Sequence, residues 1–218
     1  MKSNSHNYSI LLLVVIWCSA PSVLAQAGPP AQKITPQVPS SLQTTSQVEP
    51  APVVQTASPA EKYFSDVELL NQDGQKMRFY SDVLKDKVLI INTFFTTCTG
   101  VCPPMNRNME NLQDALGERL GKEAFLVSIT VDPETDTPLK LKEYGRRFHA
   151  RPGWLFLTGK KENVDWALYK LGQYVETRDN HMTIIIIGNE PKGLWKKAFG
   201  MAKADELMKI VDDVLNDR

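Results

Sequence analysis

The run Val88-Leu89-Ile90-Ile91-Asn92-Thr93-Phe94-Phe95 constrains the fold more than any other stretch of the chain. It is apolar and β-branched almost without interruption, so as a strand it has no face to offer to water. A strand covered on both sides needs helices above and below its sheet, and the downstream sequence supplies them. Pro103 and Pro104 suit a first helical turn, and Met105, Met109, Leu112 and Leu116 recur at helical spacing as a buried stripe. The alternation then repeats with a strand over Ala124 to Val131, a helix over Pro138 to Phe148, a strand over Trp154 to Leu157 and a helix over Lys161 to Leu171 ended by Gly172. Strand and helix in alternation predict a parallel core.

After this come Thr183 to Ile187 and Leu194 to Phe199 as an antiparallel hairpin around residues 188–193, and a last helix over Ala204 to Leu215. Strand, helix, strand, then strand, strand, helix is a thioredoxin-like order. Ahead of it, Phe64 to Leu70 and Lys76 to Tyr80 flank Asn71-Gln72-Asp73-Gly74-Gln75, a hairpin signal with Gly74 at the left-handed turn position. The expected fold class is therefore α/β, thioredoxin-like, with an N-terminal β-hairpin, occupying residues 61–218.

Lys2, the apolar run from Ile10 to Trp17 and the small residues through Ala25 read as a secretory signal peptide over residues 1–25, with cleavage after Ala25 or Ala27. The run is shorter than the roughly 20 residues of a spanning helix, although Cys18, Ser19 and Ala20 would lengthen it into an anchor if it were kept. Cys18 also raises lipid modification, against which Trp17 is a poor preceding residue. Residues 26–60 are rich in Pro, Gln, Ser and Thr, cannot bury enough surface to order, and read as an extended tether or plain spacer. Lys and Arg number 25 and Asp and Glu 25, which excludes the basic footprint that nucleic acid needs.

Removing the signal leaves Cys98 and Cys102 in a compartment where disulfides persist. The loop they close is too short to stabilise a fold by constraining the unfolded chain, so their purpose is chemistry. One thiol sits in the loop leaving a buried strand and the other where a helix begins. The helix end favours an anion, so the thiol nearest it is expected to ionise more readily than a free cysteine. Three residues between the cysteines, not the two of thioredoxin-type reductases, let both sulfurs turn towards one point. Two thiolates and a third ligand suit Cu(I), and an imidazole keeps Cu(II) acceptable.

His149 and His181 are the candidate imidazoles. His149 ends a predicted helix and is expected to cap its negative end. His181, in Arg178-Asp179-Asn180-His181-Met182-Thr183, precedes a buried strand whose start faces the cysteine loop, and is either a ligand or a structural histidine. Met182 offers a thioether next door, with burial in the core as its expected fate. In Asp132-Pro133-Glu134-Thr135-Asp136-Thr137-Pro138, Thr137 or Asp136 is expected to cap the following helix, and Asp132 ends a strand near the cysteine loop.

Asp86 to Cys98 leading to Cys102-Pro103, then Val131 to Pro138, then Trp154 to Gly159 resemble, in order, the blocks of the Sco/SenC family of copper proteins, over Phe64 to the C-terminus. The resemblance implies a thioredoxin-like fold, one copper ion (Cu+ or Cu2+) on Cys98, Cys102 and His181, and a Cys98–Cys102 pair able to form a redox-active disulfide. It also implies help in assembling the dinuclear copper site of cytochrome c oxidase. The partners would be a copper-accepting oxidase subunit together with copper chaperones or thiol reductases, outside the cytoplasm in the periplasm or on an inner-membrane tether. Two departures stand out: the stretch from Gly159 to His181 is short for the family, and Asn180 replaces its usual Asp, with Asp179 a candidate substitute. The competing activity is a periplasmic thiol:disulfide reductase acting on a copper-protein client without itself carrying copper. Peroxide removal, which needs only one attacking thiol, leaves the second cysteine and His181 unexplained.

Overall fold

The structure, a computed structural model, describes residues 57–217. The expected signal peptide, Cys18 and most of the expected tether lie outside them. Among the described residues no helix is long and apolar enough to cross a membrane.

Ordered structure starts earlier than the expected boundary, with helix α1 at Pro59–Phe64. Ser58 accepts a hydrogen bond from the Glu61 amide at 3.0 Å and Pro59 opens the first turn, so a serine cap starts a helix where a spacer and then a strand are expected. Strands β1 (Glu68–Asn71) and β2 (Lys76–Arg78) form the expected hairpin, with Gly74 at φ +75°. The second strand stops short of Tyr80 because the Asp82 carboxylate takes the Arg78 amide at 2.7 Å and folds Phe79–Leu84 into a wide helical turn.

The central strands are β3 (Val88–Phe94), β4 (Ala124–Thr130) and β5 (Trp154–Gly159), parallel to one another. Between them run α2 (Cys102–Leu116) and α3 (Pro138–Arg147), and α4 (Lys161–Lys170) follows. The chain closes with β6 (Ile184–Asn189), β7 (Leu194–Phe199) and α5 (Ala204–Asn216). Strand order across the seven-stranded sheet is β2-β1-β5-β4-β3-β6-β7, with β6 antiparallel to β3. Gly188 lets β6 pass under Trp195, whose ring would lie 2.3 Å from any Cβ placed there.

The two faces of β3 divide the core. Ile90 and Phe94 pack with α2, α3 and α5, whereas Leu89 and Ile91 pack with α1 and α4. Met105, Met109, Leu112 and Leu116 are all buried, as their spacing predicts. Within the first face, Phe94 stacks on Tyr144 at 4.9 Å and Trp154 on Phe156 at 5.0 Å, pairs worth roughly 0.5–1.5 kcal/mol each beyond the area they bury.

A chain of polar groups crosses this apolar face. Trp154 donates to Ser128 (3.0 Å), Ser128 to Asn92 (2.6 Å) and Asn92 to Asn106 (3.2 Å). Asn106 in turn donates to the Tyr144 hydroxyl (3.1 Å) and to the Cys102 carbonyl (3.0 Å). Every link is buried and paired, so the network costs little to keep and much to interrupt.

Candidate metal centre

Topology alone brings the chemistry to one rim. Parallel β3 and β4 end at the same edge of the sheet, and antiparallel β6 begins there. The loop leaving β3 carries Cys98 and leads into Cys102 at the start of α2, the loop leaving β4 carries Asp132 and Asp136, and the loop entering β6 carries Arg178 and His181. Crevices outside the carboxyl ends of parallel strands are where such folds place their sites.

Cys98 sits in a turn closed by its amide on the Phe95 carbonyl at 3.1 Å, and is partly exposed. Cys102 is the first residue of α2 and fully buried, with Pro103 next in the helix. Both are free thiols. His181 follows a short helical turn at Arg178–Asn180 and is half-buried. The two sulfurs and a ring nitrogen of His181 all lie within 4.8 Å of one another. His149 is not part of this group: at φ +48° it turns away from the end of α3, and its exposed ring pairs with Glu110 of α2 at 2.7 Å instead of capping the helix.

The imidazole is held in one sense. Its Nδ1–H donates to the Arg178 carbonyl at 3.0 Å, which leaves the Nε2 lone pair facing the Cys102 sulfur at 3.2 Å. The edge of the ring meets Phe95 at 5.3 Å. Burial lowers the His181 pKa below its usual value, against the opposing pull of the Arg178 carbonyl and Asp179, and so favours the neutral, donor-capable ring.

Burial acts in the opposite direction on Cys102. The expected easy ionisation at a helix start is not found: desolvation first, and the neighbouring Cys98 thiol second, push this thiol well above the ordinary cysteine range. A hydrogen bond from the Phe95 backbone pulls the other way and is outweighed. The helix-end effect reaches about 1 kcal/mol at an exposed site, less than full burial of a thiolate costs. A bound cation would reverse that balance, since a coordinating thiol is deprotonated by the ion it holds.

Asp136 does not cap α3; Thr137 does, accepting from the Lys140 amide. The Asp136 carboxylate is fully buried and accepts from the Thr96 amide (3.0 Å), the Thr96 hydroxyl and the Thr130 hydroxyl (2.6 Å). It therefore ties the root of the cysteine loop to the end of β4. Replacing Asp136 with alanine leaves the buried Thr130 hydroxyl and the half-buried Thr96 donors unpaired, and a loss of about 1–3 kcal/mol is expected from denaturant titration. Met182 is half-buried and precedes β6, and does not reach the core as its position predicts. Asp179 makes no hydrogen bond to the His181 ring, whose Nδ1 is taken by the backbone carbonyl.

Two soft sulfurs and an imidazole nitrogen within ligand reach fit copper in either common oxidation state, and Cys98, Cys102 and His181 are the residues that would hold it. An open cleft lies above them, with Thr97, Val101, Arg178 and Asp179 in its walls.

A SCO1/SenC family profile matches residues 55–211. The SCO2-like protein of Rickettsia felis is 36% identical over 103 residues, covering 47% of this chain and 48% of the relative. The chain thus spans about half the length of such curated relatives. Among solved structures, Arabidopsis thaliana ScoI with copper bound is 26% identical at a TM-score of 0.56, covering 69% of this chain and 94% of that one. BsSco, a member of the Sco family of cytochrome c oxidase assembly proteins in which a disulfide switch was identified, is 26% identical at a TM-score of 0.58, covering 69% and 92%. With most of the described residues inside the profile and the same fold in both structures, this chain belongs to the SCO1/SenC family.

Proposed function

We propose that the chain is an exported copper carrier. Reduced Cys98 and Cys102 with neutral His181 take up one copper ion, as Cu+ or Cu2+, and pass it by ligand exchange to the dinuclear copper site of a cytochrome c oxidase subunit. One observation carries the reading: three side chains, from the loop after β3, the start of α2 and the loop before β6, converge with an imidazole lone pair already aimed at a thiol. Copper held by Arabidopsis thaliana ScoI and the oxidase-assembly role of BsSco support it. The signal-like first 25 residues and the proline-rich stretch after them support an exported domain, released into the periplasm or held by its N-terminus on the membrane.

X-ray absorption of the copper-loaded protein tests the ligand set. Two sulfur donors and one nitrogen donor are expected, with the nitrogen lost and copper held more weakly in His181→Ala. A His181→Ala protein that binds copper as tightly as wild type would defeat the assignment.

The unequal burial of the two free thiols favours a second activity at the same site. Cys98, the more exposed, would attack a client disulfide as its thiolate, releasing one client thiolate. Cys102 would then give up its proton, displace the client from the mixed disulfide and leave a Cys98–Cys102 bond. The client gains two electrons and the carrier loses them, so an acceptor pair reduced in this way is ready for metal. A copper-free protein unable to reduce any cysteine pair of an oxidase subunit would remove this activity.

A further inference from the structure

His181 lacks the orienting carboxylate that a metal-binding imidazole commonly has on its second nitrogen. Its Nδ1–H meets a backbone carbonyl, that of Arg178, which belongs to a short exposed turn. A carbonyl on such a turn orients a ring only as well as the turn is itself held. The backbone ties of that turn are local: the amide of Asn180 to the Thr177 carbonyl at 3.0 Å and that of His181 to the Arg178 carbonyl at 3.2 Å. What fixes it to the rest of the molecule is the Arg178 side chain. Its guanidinium pairs with the carboxylate of Asp132, in the loop leaving β4, and lies over the Phe95 ring at 5.2 Å. Phe95 in turn meets the His181 ring edge-on.

The pair joins two loops 46 residues apart in sequence. The Asp132 side chain is mostly buried, with 13% of its surface exposed. Its amide is also fixed, donating to the Thr130 hydroxyl at 2.9 Å, and that hydroxyl donates to Asp136, the anchor of the cysteine loop. One continuous set of contacts therefore runs from the cysteine loop through Asp136, Thr130 and Asp132 to Arg178 and the histidine.

We propose that Arg178 and Asp132 are positioning residues for the metal centre, an ion-pair latch that sets the angle of the His181 ring through the Arg178 carbonyl and the shared Phe95 face. Neither side chain is a ligand. The latch does for a short loop what a carboxylate beside the imidazole does elsewhere: it keeps Nδ1 occupied and Nε2 aimed at the sulfurs. A planar guanidinium is suited to this because it binds a carboxylate along its edge and stacks on an aromatic ring with its face, which lysine does not do. The proposal rests on the three-ligand copper reading and deepens it.

A double-mutant cycle tests it, with Cu(I) titrated against a competing chelator for wild type, Arg178→Ala, His181→Ala and the double variant. Removing a group that orients a metal ligand commonly lowers affinity about 10–100-fold, and that range is expected for Arg178→Ala. In the His181→Ala background the same change should have little further effect, because the latch acts only through the ring. Arg178→Lys should recover part of the loss. The nitrogen signature of the copper-loaded Arg178→Ala protein should weaken in X-ray absorption, while the thermal midpoint of the copper-free form moves little. Wild-type affinity in Arg178→Ala alongside a weakened His181→Ala would overturn the latch and leave the copper site standing. An Arg178→Ala effect that persists undiminished without His181 would do the same. Wild-type affinity in His181→Ala would remove the copper reading and the latch together.

Discussion

Cys102→Ser protein is expected to fold, to keep Cys98 as the one thiol among the described residues, and to lose copper affinity by more than a hundredfold. The supporting groups of a metal site already contribute about 10–100-fold, and Cys102 is a proposed ligand in its own right. Serine is close to cysteine in size, so the buried space at the start of α2 stays filled, but its hydroxyl is a hard donor that a soft ion does not prefer. Competition titration with a Cu(I) chelator measures the loss. The same variant cannot close a Cys98–Cys102 bond, so a mixed disulfide trapped on Cys98 should accumulate with a thiol-reactive client and be visible by mass spectrometry. Copper binding at wild-type strength in Cys102→Ser would show that the buried sulfur is not a ligand.

The largest effect on stability is expected at Trp154. Its side chain is 1% exposed, stacks on Phe156 and donates to Ser128. Trp154→Ala opens a cavity between β5 and the helices and leaves the Ser128 hydroxyl without its donor, for a loss of about 3–5 kcal/mol. Domains of this size have only about 5–15 kcal/mol in total. A fall of roughly 10 °C in thermal midpoint follows, at about 2–4 °C per kcal/mol. Trp154→Phe keeps an aromatic ring but loses the hydrogen bond and part of the buried indole volume, so it should fall between wild type and the alanine variant. A shift under 2 °C for the alanine variant would mean that the cavity collapses without cost.

The parts of this molecule that hydrophobic periodicity governs were legible in the sequence. Val88 to Phe95 had to be a covered strand, and Met105 to Leu116 had to be a buried helical stripe, because no other placement removes that much apolar surface from water. The Asn71–Gln75 hairpin followed from one glycine. Helix α1 went unread although Ser58-Pro59-Ala60-Glu61 carries a helix-start signature, because the proline-rich stretch before it masked the change.

The candidate centre divides in the same way. Cys98 and Cys102 stand out by residue type and spacing, and the antiparallel pairing of β6 with β3 delivers His181 to them. The residues that hold the centre carry no such mark. Asp136 sits where a helix cap is expected, and only the fold shows that its carboxylate points inward to Thr96 and Thr130. Arg178 reads as one more surface charge until Asp132 and Phe95 are seen beside it. Cys102 departs from the expected easy ionisation for a related reason: position along a helix is written in the sequence, whereas depth below the surface is a property of the packed whole.

Asn92 gives the sheet a means of keeping count. Side chains on a strand alternate, so sliding β3 by one residue against β4 would turn that amide towards the aliphatic side formed with α1 and α4 and break its bond to Ser128. A purely aliphatic strand would have several near-equivalent alignments; a single amide removes them. The level at which the Cys98 loop emerges beside the Asp136 loop is therefore decided in the middle of the sheet, well below the rim where the thiols sit.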